Sequence, residues 1–222
     1  MEDPEHKEVS IEKKARFMFS IFWASQGNTI PGTFWALALV CGNPDCLAKA
    51  TKEARDLFSD APFVKGADFD TSKLEYITAC VKETLRLKVA NITHRKTVRD
   101  IDVTTSDGKQ YRLKKGETVT AASYLQHYNP EVFPEPHKFR PERWFEKEYK
   151  ETDWFPFGAG TNMCSGRHLA QMELALILAL FLREFDVELI DPIPEETWEN
   201  TVAMVAPQER SCRFRYTRRP PP

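Results

Sequence analysis

Residues 155–182, FPFGAGTNMCSGRHLAQMELALILALFL, set a glycine-rich loop and one cysteine directly against an apolar helix. Gly158, Gly160 and Gly166 allow positive φ and let a planar group approach the backbone closely. The nine residues Leu174–Leu182 are all apolar. A bilayer span needs about 20 such residues, so this helix must instead be buried in protein. The chain must therefore supply other elements to cover the helix while leaving the loop before it free to turn.

Those elements are legible from periodicity. Residues 9–40 read as one long helix, with Phe17, Ile21, Ala24 and Asn28 on a shared face. Pro31 removes a hydrogen bond to the Gly27 carbonyl, which predicts a local opening at Gly27–Asn28 inside a single helix rather than a break between two. Further helices are expected over 44–57 and 72–87, the latter with Ser72 as its N-cap, and over 165–185, with a loop at 60–70. The alternation around Asp107-Gly108 predicts a hairpin. Residues 116–128 read as strand, then short helix. Residues 128–160 are rich in proline and aromatics and lack periodicity, a length of irregular chain that points to function. Short strands are expected in VAMVA (202–206) and CRFRYT (212–217), followed by a flexible tail at 218–222. The fold class is mainly α with small β-sheets.

Composition narrows the class further. A chain of 222 residues that is 41% hydrophobic and 29% charged is globular. Its net charge of −2 argues against nucleic acid as a partner. Five cysteines without a CxxC pair suggest neither a zinc site nor a disulfide framework, so most of the thiols are expected to be buried in a reducing environment. The charged segment 1–8 shows no signal peptide or membrane anchor.

Three constellations carry chemistry. Glu83 and Arg86 are three residues apart on a helix; alone, such a pair reads as a solvated surface ion pair. Arg140 and Arg143 sit in a loop stiffened by Pro134, Pro136 and Pro141, from which Arg143 can join Glu83 and Arg86. Cys164 is placed before a helix N-terminus, where the dipole and free N–H groups favour a thiolate. The residues alone leave three readings of it: an inert buried thiol, a nucleophile with His168 as base, or an axial ligand for haem iron.

Taken in order, E-x-x-R, P-E-R-W and F-G-x-G-x-x-x-C-x-G-x-x-x-A resemble the cytochrome P450 family. The resemblance runs from the long helix to the C-terminus. It implies that Cys164 is the thiolate ligand of haem b (iron protoporphyrin IX), with Phe157, Gly158, Gly166, Ala170 and Ala24 around the cofactor. It implies a structural lock of Glu83, Arg86 and Arg143. Arg95, with His94 beside it, is implied as the partner of a haem propionate, and His127 as a structural residue.

Two departures from the family pattern stand out. Asn162 occupies the position two before the cysteine where an arginine or histidine usually reaches a propionate. The usual acid–alcohol pair of the long helix is replaced by Gly27-Asn28-Thr29, so proton delivery is expected to involve Asn28, Thr29 and water at the Gly27 carbonyl. By family position, Ile21, Gln26, Val89, Ile92, Val202 and Val205 are expected to line the substrate pocket together with Ala24 and Asn28.

Both departures resemble the branch holding the sterol 7α- and 12α-hydroxylases and prostacyclin synthase, and the C-terminal segment is most similar to the oxysterol 7α-hydroxylases. The resemblance implies hydroxylation of a sterol or oxysterol, with O2 and with electrons from NADPH–cytochrome P450 reductase, at the endoplasmic-reticulum membrane. It leaves open a lipid-peroxide isomerase of the prostacyclin-synthase type. Residues 1–222 are expected to form part of one P450 domain, its C-terminal half. By themselves they are expected to hold haem weakly and to be inactive.

Overall fold

A computed structural model of the chain describes residues 9–58, 71–105, 107–197 and 205–219. Four long helices make the core: α1 (Ile11–Cys41), α2 (Pro44–Leu57), α3 (Glu75–Lys88) and α6 (Arg167–Glu184). Two short helices, α4 (Ser123–His127) and α5 (Arg143–Glu146), punctuate the irregular stretch. The described strands form three two-stranded antiparallel sheets. β1 (Ile92–Lys96) pairs with β4 (Thr118–Ala122), β2 (Ile101–Thr104) with β3 (Gln110–Leu113), and β5 (Phe185–Leu189) with β6 (Phe214–Arg218).

The apolar helix α6 lies at the centre, as its composition requires. Leu174, Leu178 and Leu182 are buried against Trp35 and Val40 of α1, Ala50 and Ala54 of α2, and Ile77 and Val81 of α3. Helices α1 and α6 cross closely at Gly32, where a Cβ would come within 3.3 Å of Leu174 Cδ2. Helix α2 has Pro44 in its first turn and Arg55 in its last, matched to the local backbone and to the dipole.

Helix α1 runs through Pro31 as one element of 31 residues, so the two-helix alternative is excluded. Its two halves differ in environment. The half after Gly32 is buried, whereas Phe17 is 65% exposed and Ile21 is 48% exposed. Of the face read from the sequence, Phe17, Ile21 and Ala24 are exposed and Asn28 is half-buried; the buried residues of the helix begin at Gly32.

The start of α3 departs from expectation. Ser72 lies in a short 3-10 turn (Thr71–Lys73), and the N-cap position is Leu74, whose side chain cannot cap. The carboxylate of Glu53, on α2, does that work instead. Its two oxygens accept the backbone N–H of Tyr76 at 2.7 Å and of Ile77 at 2.8 Å. A cap supplied by another helix leaves no local signal.

The expected loop at 60–70 lies outside the described residues, as does most of VAMVA, although Val205 forms an isolated bridge to Val89. The expectation of a flexible tail from 218 needs correction. Arg218 belongs to β6, and the Arg219 N–H donates to the Glu184 carbonyl at 2.9 Å. Residues 220–222 lie outside the described residues.

Candidate active site

The site is built outward from a buried ion cluster. Glu83, Arg86 and Arg143 are each at most 1% exposed. Arg86 grips the Glu83 carboxylate with two parallel bonds, Nε to Oε2 at 3.0 Å and Nη2 to Oε1 at 2.8 Å. Its remaining donors reach the carbonyls of His127 and Pro136 at 2.7 Å and of Lys138 at 3.2 Å. Arg143 Nε donates to Glu83 Oε1 at 3.0 Å, and its Nη1 donates to the Pro134 carbonyl at 3.0 Å. Glu83 also accepts the Arg140 backbone N–H and the indole N–H of Trp144. The Arg140 side chain turns outward to Glu146.

A buried pair of this kind holds only when every donor and acceptor is met. Here the arginines use backbone carbonyls of residues 127–138 to meet that demand. The irregular stretch therefore takes its shape from charge, not from secondary structure. The solvated-pair reading of Glu83 and Arg86 is excluded by their burial.

From this cluster an aromatic chain leads to the cysteine loop. Trp144 meets Trp154 edge-on at 5.2 Å, and Trp154 meets Phe157 edge-on at 6.5 Å. The buried His127 ring adds a second link, its Nε2 accepting the Phe155 N–H at 3.1 Å. Burial, aided by the Arg86 charge, lowers the pKa of His127 to about 4, so the ring is neutral at physiological pH. The Phe157 carbonyl then accepts the Cys164 N–H at 3.0 Å.

Gly158, at φ +76°, makes the turn between them, where a Cβ would stand 3.1 Å from Asn91 Nδ2. A 3-10 turn (Gly160–Asn162) follows. Cys164 lies two residues before Gly166, the cap residue of α6, and its carbonyl accepts from Arg167 Nη1 at 3.2 Å.

Cys164 is the exposed one among the five free thiols. Cys41, Cys46 and Cys80 are buried, and burial raises their pKa values, that of Cys41 to about 12. The Cys164 thiol borders a cleft of about 550 Å³. Helix α1 contributes Ile21, Ala24, Ser25, Asn28 and Thr29 to its walls, and Val89 and residues 91–95 form another side. Phe157, Gly158, Gly166 and Ala170 line the cysteine side, and Val205 closes the cleft.

Most residues expected in one site do converge here: Arg95, His94 and Ile92 on the β1 side, Asn162 on the cysteine side, and Val89 and Val205 opposite α1. Gly27 and Gln26 do not. Residue 26 is about 200° around a helix from Ala24, away from 21, 24, 25 and 28, which fall within about 100° of one another; residue 27 lies about 60° beyond Ala24 on the other edge of that face. Gln26 is exposed, and Ser25 takes its place at the wall. Val202 lies outside the described residues.

His168 is exposed and is not part of the cleft wall, so the geometry provides Cys164 with no base from that side. Asn28 is engaged on both ends of its amide. Its Nδ2 donates to the Ala24 carbonyl at 3.3 Å, and its Oδ1 accepts the Val205 N–H at 3.3 Å. Sequence reasoning missed this link across 177 residues.

The donor set bears on what the cleft can hold. Among the described residues there is no group of three or more His, Cys, Asp or Glu side chains arranged to bind a metal. An iron at Cys164 would thus arrive with most of its ligands already attached, as it does in haem. The small residues Ala24, Gly158, Gly166 and Ala170 leave space for a flat group, and a Cβ on Gly166 would lie 3.9 Å from Cys164 Sγ. Arg95 offers a cation at the rim, held through Nη1 to the His94 carbonyl at 2.9 Å. The residues fit a haem.

Comparison with known proteins agrees with this geometry. The family model described as Cytochrome P450 matches residues 1–213. The chain is 31% identical over 218 residues to 24-hydroxycholesterol 7-alpha-hydroxylase of Homo sapiens, covering 96% of this chain and 45% of that protein. It is 32% identical over 198 residues to 7-alpha-hydroxycholest-4-en-3-one 12-alpha-hydroxylase of Homo sapiens, covering 80% and 39%. Cholesterol 7-alpha-monooxygenase of Cricetulus griseus is 30% identical over 199 residues, covering 81% and 39%. A crystal structure of a cytochrome P450 superposes with a TM-score of 0.75 at 24% identity, covering 98% of this chain and 48% of that one. The chain thus spans less than half the length of these relatives.

Proposed function

The chain belongs to the cytochrome P450 family, and from that premise we infer that it contributes the thiolate side of a sterol or oxysterol monooxygenase site, with 7α the favoured position. One observation carries the reading: the exposed thiol, Cys164, borders a mainly apolar cleft backed by the buried Glu83–Arg86–Arg143 cluster. Residues 1–222 are read as part of one P450 domain.

With haem b bound, activation of dioxygen and oxygen insertion are the chemistry of the cofactor. The protein's own tasks follow from the cleft. Cys164 Sγ would supply the thiolate ligand to the iron. Arg95 pairs with a propionate, and Asn162 adds a neutral hydrogen bond where the family usually has a cation. Ala24, Gly158, Gly166 and Ala170 line the cleft and would leave room for the flat ring. Ile21, Ile92, Val89 and Val205 present apolar surface to the substrate and exclude water.

Asn28 orients the wall through its two bonds. An amide cannot act as an acid, so the hydroxyls of Thr29 and Ser25 are the α1 groups along the cleft that could hold and pass a proton. The redox partner in this reading is NADPH–cytochrome P450 reductase, and the setting is the endoplasmic-reticulum membrane. Among the described residues no helix is long and apolar enough to cross a membrane.

The test is a titration of the haem-loaded protein with 24-hydroxycholesterol and cholesterol, followed by turnover with NADPH and reductase. Saturable sterol-induced Soret changes are expected of the haem-loaded chain, and an NADPH-dependent hydroxysterol of the full-length protein; absence of both overturns the reading. A second reading, a lipid-peroxide isomerase, is favoured by the lack of any α1 carboxylate along the cleft. Product formed from an endoperoxide without oxygen or NADPH would select it.

A further inference from the structure

Val205 closes the cleft, and the backbone of Val205 and Ala206 is held from several directions. The Val205 N–H donates to Asn28 Oδ1, and Val205 bridges Val89. The Ala206 N–H donates to the Lys88 carbonyl at 3.0 Å. The Ala206 carbonyl accepts the indole N–H of Trp35 at 2.6 Å. Asn28 and Trp35 are seven residues apart on α1, so one helix face reaches this backbone twice.

Trp35 is fully buried and does not line the cleft. A phenylalanine would fill similar core space without the polar tie. The indole is further braced by Lys88, whose Nζ lies 4.2 Å from the ring centroid and pairs with Glu196. Lys88 is 9% exposed, and such burial of an ammonium is costly unless it is met, here by an aromatic face and a carboxylate. Glu196 also bridges Gln208, three residues after Val205.

We propose that Trp35 and Lys88 are positioning residues that fix Val205 as one wall of the cleft and so set the shape of apolar ligand admitted beside Cys164. The proposal rests on the reading of the cleft as a haem and sterol site, and it deepens that reading.

The test uses Trp35→Phe and, should that variant fail to fold, Lys88→Met. Hydrogen exchange at the Val205 and Ala206 amides reports this backbone directly and needs no haem. The haem-loaded protein is titrated with n-alkylimidazoles of increasing chain length, whose Soret shifts report how long an apolar arm the cleft accepts. Loss of one buried hydrogen bond is expected to speed exchange at these two amides by about tenfold or more. The wild type is expected to show a length limit, and the variants to accept longer chains while the ferrous–CO spectrum is unchanged.

Wild-type exchange at both amides in whichever variant folds overturns the proposal. So does faster exchange with an unmoved length limit, or a wild type with no limit. If wild type binds alkylimidazoles but no sterol, and both readouts shift in the variants, the sterol reading fails and the positioning role stands.

Discussion

Replacing Glu83 with alanine removes the one anion that serves two buried arginines. Its carboxylate accepts from Arg86 twice, from Arg143, from the Arg140 backbone and from Trp144. None of the three ionic side chains is more than 1% exposed, so water cannot replace the lost acceptor without opening the core. Breaking a buried pair by removing one partner costs roughly 3–5 kcal/mol, chiefly through the uncompensated charge left behind. For a chain of this size each kcal/mol shifts the midpoint by roughly 2–4 °C, so Glu83→Ala should melt on the order of 10 °C below wild type. The assay is thermal unfolding of both haem-loaded proteins by far-ultraviolet circular dichroism. The triple variant Glu83→Leu, Arg86→Met, Arg143→Met is the control, since a well-packed apolar replacement removes the charges together and should recover much of the loss. A Glu83→Ala midpoint within about 2 °C of wild type would mean that the arginines are not held by this carboxylate.

Other predictions follow from the same geometry. His127 stays neutral in the fold to about pH 4, whereas its ordinary pKa is 6.5, so the unfolded chain takes up a proton first as pH falls. Stability should therefore decline by about 2 kcal/mol between pH 7 and pH 5, and His127→Asn should flatten that decline in denaturant titrations. Gly158→Ala meets both a positive φ and Asn91, and should cost about 1–3 kcal/mol with faster haem loss, read by thermal melts and by transfer of haem to apomyoglobin. Iodoacetamide should label Cys164 ahead of the buried Cys41, Cys46 and Cys80, and bound haem should protect it, as followed by peptide mass spectrometry.

The parts that sequence made legible are those whose physics is local. Turn glycines at 158 and 160 both adopt positive φ, and the Asp107-Gly108 hairpin forms as its alternation requires. Helix periodicity located α2 without error and placed Ile21, Ala24 and Asn28 on the cleft side of α1. The same periodicity, applied strictly, would have replaced Gln26 by Ser25.

What stayed hidden depends on contacts distant in sequence. Glu53 caps α3 from another helix, Trp35 reaches Ala206 across 171 residues, and Asn28 reaches Val205 across 177. Each is one polar group meeting one backbone group, and only the fold brings the pair together. Glu83, Arg86 and Arg143 were legible as a motif, but their motif alone did not show that Trp144 joins them and carries packing on to Trp154 and Phe157.

The central claim is that Cys164 is the axial thiolate of a haem. It is tested most directly by the reduced-CO difference spectrum of the haem-loaded chain beside that of Cys164→Ala. The claim concerns the type of spectrum, not the extent of loading, so it holds even if these residues by themselves take up haem weakly. Wild type should show the red-shifted Soret band of a thiolate-ligated ferrous–CO haem, and the variant should lose it completely. Identical spectra for the two proteins would contradict the claim.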